Sequence, residues 1–171
     1  MKTIRSRADL AINGAPPAFS APLHVGRPNI TDREGFLARA ATVLDNQWLT
    51  NDGPMVRDFE QRIAQHLGVR HCVAMCNGTI ALEIAIRALG LSGEVIVPSW
   101  TFVATAHALY WQGITPVFAD IDPATHNVDP ESVRRLITPR TTGIIGVHLW
   151  GRAAPVEPLQ AIADEHGLKL M

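Results

Sequence analysis

From residue 71 onward, short apolar runs alternate with amphipathic stretches in units of about thirty residues, and this rhythm constrains the fold more than any other feature. The apolar runs lie at 71–76, 93–97, 115–119 and 142–148, and helical spacing fills 79–89, 100–112, 129–137 and 155–166. Strands separated in this way call for a parallel sheet, because a parallel neighbour is reached only through a crossover connection. Val95-Ile96-Val97 and Gly143-Ile144-Ile145-Gly146-Val147 are apolar without alternation, as strands covered on both faces must be. A further strand begins at Leu168-Lys169-Leu170-Met171. The predicted fold class is therefore α/β: an arm and two helices, then a mostly parallel sheet with crossover helices, incomplete at the C-terminus.

The first thirty residues follow a different rule. They hold Pro16, Pro17, Pro22 and Pro28 without sustained periodicity, which predicts an extended arm over 1–30, partly disordered at its start. Residues 31–171 form the sheet-bearing domain. It opens with a helix over 32–46, capped by Thr31 or Asp32, with Phe36, Leu37, Ala40, Val43 and Leu44 on one face. The loop Trp48-Leu49-Thr50-Asn51-Asp52-Gly53-Pro54 then starts a second helix carrying Val56, Phe59, Ile63 and Leu67, which Gly68 ends.

Several function classes fall away on composition. With 47% hydrophobic residues, 18% charged residues and a net charge of −1, the chain can bury a core and has no basic patch for nucleic acid or anionic lipid. No apolar run reaches the ~18–20 residues of a transmembrane helix, and the first 22 residues lack the apolar core of a signal peptide. Cys72 and Cys76 would sit about 13 Å apart along a strand, too far to bridge. No second cysteine pair completes a zinc site. We expect both to be buried, reduced thiols of a cytoplasmic protein.

Ligands of an open parallel sheet bind beyond the carboxyl ends of its strands, so the candidate residues are sought there. Asn77-Gly78-Thr79 joins the first apolar run to a helix. A glycine and a hydroxyl at a helix start make a phosphate cradle; the same tripeptide is also an ordinary turn capped by Thr79. After the second run, Ser99-Trp100-Thr101-Phe102 offers rings that either stack on a planar ligand or fill space under a loop. Asp120-Ile121-Asp122 after the third run fits a divalent metal carrying a sugar nucleotide, or a turn begun by Asp122-Pro123. His148 after the fourth run is either a structural hydrogen-bonding residue or a catalytic one. The chain contains no G-x-G, P-loop or G-x-S-x-G pattern, which removes the usual nicotinamide, NTP and serine-hydrolase signatures.

The ordered set of these segments resembles the DegT/DnrJ/EryC1/StrS family of pyridoxal-phosphate-dependent sugar aminotransferases of fold type I. The set comprises Trp48 to Pro54 with Phe59-Glu60, Asn77-Gly78-Thr79, Pro98 to Thr105, Val117 to Pro123, and Val147-His148-Leu149-Trp150-Gly151. The resemblance runs from about residue 22 to the last residue. It implies transfer of an amino group, with glutamate as donor, to a nucleotide-linked keto sugar in a cytoplasmic homodimer. By the same resemblance Gly78, Thr79 and Ile80 bind the cofactor phosphate and Phe102 stacks on the pyridine ring. Trp100 becomes packing or rim, and Asp120 and Asp122 a structural turn.

Pyridoxal phosphate needs a lysine to hold it covalently and a carboxylate to keep its pyridine nitrogen protonated. Thirteen of the fifteen basic residues are arginine, and the only lysines are Lys2, in the arm, and Lys169, within the last strand. The resemblance places the required Asp and Lys beyond residue 171, so the chain is expected to be the front of the fold and inactive alone. A non-catalytic binding module or degenerate paralogue, and a metal-dependent glycosyltransferase built on Asp120 and Asp122, are the alternative readings.

Overall fold

The computed structural model describes residues 3–24 and 26–171; Lys2 lies outside them. The chain divides into two compact units, Met1–Asp58 and Phe59–Met171, which are taken separately.

Among the described residues of unit 1 there is little regular structure before residue 33. Two short 3-10 turns, Arg7–Asp9 and Ala11–Asn13, precede the proline-rich stretch. Helix α1 spans Arg33–Asp45, and Asp32 caps it by accepting the Gly35 N–H. Of the two caps weighed from the sequence, the aspartate is the one used. The loop from Trp48 to Gly53 folds on itself: Trp48 Nε1 donates to the Asn51 carbonyl, and Arg57 pairs with Asp52 while lying 5.8 Å from the Trp48 ring centroid. A cavity of about 210 Å³ opens between this loop and Val43, Pro54 and Val56. The apolar face expected of α1 is not covered, for Phe36, Leu37 and Leu44 are exposed.

Unit 2 is built on a four-stranded parallel sheet of order β2-β1-β3-β4, with β1 Glu94–Pro98, β2 Thr115–Ala119, β3 Thr141–Ile144 and β4 Lys169–Leu170. Helix α2 (Pro54–Leu67) bridges the division of the chain. Helices α3 (Gly78–Ala88), α4 (Ala104–Tyr110), α5 (Pro130–Leu136) and α6 (Val156–His166) supply the crossovers. The pleat sorts side chains to two faces. Val95 and Val97 pack with Ile86 of α3 and Leu109 of α4. Ile96 and Ile144 pack with Val133 of α5 and Leu159 and Ile162 of α6. β1 is buried along its whole length, as the unbroken apolar run requires of a central strand.

One strand expected from the sequence is missing. Residues 71–76 pair with no strand among the described residues. Their backbone is tied instead to a side chain, the Ala74 N–H donating to Glu60 Oε1 at 2.7 Å. An apolar run becomes a strand only when a ladder partner satisfies its backbone, and the run itself cannot say where that partner is. The cysteines change with it: Cys72 is half-buried and Cys76 exposed, both unbridged, rather than buried together.

The amino end of the sheet is closed by polar groups. The Glu94 carboxylate accepts from the Thr138 hydroxyl at 2.6 Å and from the Arg140 guanidinium. These hydrogen bonds, Thr138 first and Arg140 next, hold the carboxyl below the ordinary glutamate value. Gly93, at φ 60°, lies so close to the Arg140 carbonyl that a Cβ there would approach its oxygen to 2.6 Å. Beyond this, Gln112 fastens the two helices on one face together. Its amide nitrogen Nε2 donates to the Ala108 and Glu83 carbonyls, and its Oε1 accepts from Arg87.

Candidate functional site

The crossover helices run back against the strands, so the starts of α3 and α4 lie at the carboxyl end of the sheet, opposite Gln112. At the start of α3, Asn77 is extended and its Oδ1 accepts the Ile80 N–H at 3.0 Å. Asn77, not Thr79, is therefore the cap, and it occupies the Ile80 donor. The Gly78 and Thr79 N–H groups have no partner among the described residues, as first-turn donors of a helix lack intrahelical acceptors. Gly78 needs neither a left-handed backbone nor a close approach, since a Cβ there would meet nothing within 4 Å. Its smallness leaves open space in front of two free donors, with the helix dipole pointing the same way.

The loop after β1 is tied to β2 by the Ser99 N–H, which donates to the Ala119 carbonyl at 2.8 Å. Phe102, just before α4, is 75% exposed. A ring left that open contributes little to the core and is free to meet a ligand. The Thr101 and Thr105 hydroxyls bond each other at 2.9 Å, tying the loop to the start of α4.

After β2 the chain makes a hydrogen-bonded turn. Asp122 Oδ1 accepts the Ala124 and Thr125 N–H groups at 2.7 and 2.8 Å, and the His126 N–H returns to the Asp122 carbonyl. The Thr125 and then the Ala124 N–H hold this carboxyl below the ordinary aspartate value. The Asp120 backbone is fixed by the Ser132 hydroxyl and the Asp129 N–H. Both aspartates thus take part in the turn, the second of the two readings offered by Asp120-Ile121-Asp122. No group of three or more metal-ligating residues occurs among the described residues.

After β3, His148 Nδ1 accepts the Ala154 N–H at 3.0 Å, which is the structural use of a histidine at a strand end. Trp150 follows within a short turn at φ 50°, an unusual conformation for a bulky residue. Its ring meets Trp100 edge-on, with centroids 6.3 Å apart and planes at 88°. Trp100 in turn stacks on His126 at 6.2 Å and 23°. Sequence reasoning missed His126 and Trp150. The Asp122-Pro123 turn pointed to the bend, but no pattern in the residues revealed which ring it would present. Lys169 pairs with Gly143, which itself pairs with Val95, so it sits toward the amino end of the sheet, away from these groups.

Residues 31–171 match the model of the DegT/DnrJ/EryC1/StrS aminotransferase family. The chain belongs to that family. Over 147 residues, the family member dTDP-4-amino-4,6-dideoxy-D-glucose transaminase of Escherichia coli is 40% identical; the match covers 86% of this chain and 40% of that protein. The crystal structure of DesI in the presence of its TDP-sugar product superposes with a TM-score of 0.87 at 56% identity, covering 96% of this chain and 42% of that one. The NtdA structure from Bacillus subtilis, with bound cofactor PMP, gives a TM-score of 0.77 at 35% identity, over 80% of this chain and 32% of that one. The chain thus spans about two fifths of the length of the curated relative quoted. Aminotransferases of the DegT/DnrJ/EryC1/StrS family are pyridoxal-phosphate-dependent, and the parallel sheet with its crossover helices is part of their fold. No helix of the described residues is long and apolar enough to cross a membrane.

Proposed function

We propose that this chain forms the phosphate- and ring-binding front of a pyridoxal-phosphate-dependent aminotransferase acting on a nucleotide-linked keto sugar, with glutamate as amino donor. The observation that carries the reading is the start of α3. Two free backbone donors, a hydroxyl and the open space left by Gly78 are gathered at one helix terminus, a donor set suited to a phosphate dianion.

Gly78, Thr79 and Ile80 form the phosphate-holding turn. The direct donors are the Gly78 and Thr79 N–H groups and the Thr79 hydroxyl, while Ile80 closes the turn through Asn77. Phe102 offers its exposed face to the pyridine ring and keeps water from that side. The cofactor, when bound, supplies an electron sink for the carbon from which the amino group leaves. The turn after β2, held by Asp122, keeps the substrate side of the mouth in shape without touching a metal.

Lys169, the lysine among the described residues, does not suit the covalent attachment, because it lies toward the opposite end of the sheet. On its own, then, the 171-residue polypeptide binds the cofactor reversibly and does not turn over. The domain boundary near residue 30, the cytoplasmic setting and the homodimer are part of the same proposal, supported by the family relationship.

Titration of the chain with pyridoxal phosphate tests the reading. Saturable binding is expected, at least tenfold weaker in Gly78→Asp, whose carboxylate enters the phosphate space. Borohydride reduction is expected to leave no defined pyridoxyl-lysine. Equal binding by Gly78→Asp would overturn the phosphate assignment, and a stoichiometric adduct with amine transfer from glutamate would overturn the claim of inactivity.

A further inference from the structure

The loops after β1, β2 and β3 each give one ring to an aromatic cluster at the carboxyl end of the sheet: Trp100, His126 and Trp150. Two of the three are held in the left-handed region, His126 at φ 62° and Trp150 at φ 50°. For residues with a Cβ that conformation is unfavourable, and it persists only where the surroundings over-determine it. Burial does not explain it, since Trp150 is 84% exposed and Trp100 50% exposed.

The second and third loops, which carry His126 and Trp150, are joined by a pair of hydrogen bonds. Arg152 donates to the Ala124 carbonyl at 2.8 Å, and Asn127 Nδ2 donates to the Ala153 carbonyl at 2.8 Å. Asn127 is buried, so its bond is shielded from water. The loops are locked together, yet the rings they carry remain open. Strain fixed in place, around a large apolar surface left in solvent, marks a surface prepared for a ligand.

The geometry narrows that ligand. His126 backs the Trp100 indole nearly in parallel, and Trp150 stands at a right angle to it. Together they make a corner with two π surfaces and no carboxylate among the three side chains. A planar heteroaromatic ring can stack on one wall while its edge meets the other, the arrangement that aromatic pairs favour.

We propose that Trp100 and Trp150, backed by His126, form the stacking platform for the nucleobase of a nucleotide-linked substrate. This rests on the reading of the carboxyl end as the substrate side and adds to it the residues that grip the base. The phosphate at α3 and the ring at Phe102 belong to the cofactor, so the two assignments involve different residues and fail separately.

The test uses the full chain, with thymidine diphosphate as probe, followed through the indole N–H resonances of its four tryptophans. Trp100 and Trp150 are expected to shift together and saturate, while Trp48 and Trp111 stay in place. Inorganic pyrophosphate at the same concentration is expected to leave all four unmoved. Trp100→Ala and Trp150→Ala should each weaken binding by about fivefold to a hundredfold, the range for losing one base–aromatic stack. Trp150→Phe, which keeps a π face, should restore it to within about threefold of the parent by the same reasoning. Equal effects of pyrophosphate, a larger response to methyl glucoside, or unchanged binding in both alanine variants would overturn the platform. Pyridoxal phosphate titration of the same proteins separates the two claims. If Gly78→Asp binds the cofactor as well as the parent while the indoles still report the base, the cofactor assignment falls and the platform stands; normal cofactor binding without an indole response is the reverse.

Discussion

The two ends of one sheet in unit 2 are built by opposite rules. At the amino end, a buried glutamate finds a hydroxyl and a guanidinium, and a glycine fits where no other residue has room. At the carboxyl end, helix donors stay free, a glycine faces empty space, and three exposed rings crowd together. The same glycine residue type therefore has two meanings. Gly93 is required by the fold, whereas Gly78 is spare to the fold and useful only to something the fold receives. Stability concentrates where the groups satisfy one another, and binding capacity where they do not.

Four substitutions set the ends against each other. Gly93→Ala combines a left-handed backbone with a backbone clash against Arg140, and should cost about 3 kcal/mol in denaturant unfolding. A loss under half of that would show that the amino end is looser than its packing indicates. Glu94→Gln is the next largest. Because hydrogen bonding lowers the folded-state pKa of Glu94, its contribution is present above the ordinary glutamate value and is lost as pH falls through the lowered one. The variant should be less stable than the parent at neutral pH, and the two melting temperatures should converge in acid. Parallel curves across that range would mean the carboxylate is not the group at work.

Asn77→Ala should remove about 1 kcal/mol through loss of the α3 cap. It should also free the Ile80 N–H, so cofactor binding is expected to fall less than stability does. Gly78→Ala is the smallest. With open space around the new Cβ, stability should stay within about 0.5 kcal/mol of the parent or rise, while pyridoxal phosphate binding drops. A stability loss as large as that of Gly93→Ala would erase the distinction between the ends.

Much of this architecture was legible in the residues, for reasons that vary by element. Within the central strand, Val95 to Pro98 is an unbroken apolar run, and burial on both faces leaves few other ways to read it. The helical pattern over 129–137 marked the start of α5, where Asp129 accepts the Glu131 and Ser132 N–H groups. The run at 71–76 misled, since a strand is a relation between two segments and its apolar pattern names only one. Similarly, the spacing on α1 showed an apolar face without showing what would cover it. At the site, the α3 turn was visible as Asn-Gly-Thr, although the cap fell to the asparagine. Trp150 and His126 were not visible, because their placement depends on left-handed turns and on loop-to-loop bonds 26 and 28 residues apart in sequence.

Gln112 gives the mouth of the sheet a mechanical character. It joins α3 and α4 as the stem of a tuning fork joins its tines, with Gly78 at one tip and the residues after Phe102 at the other. A rocking of roughly five degrees about a stem some ten ångströms away would carry a tip by about 1 Å. That amide, together with the packing of Ile86 against Ala108 and Leu109, couples the two tips from a place remote from every candidate ligand group.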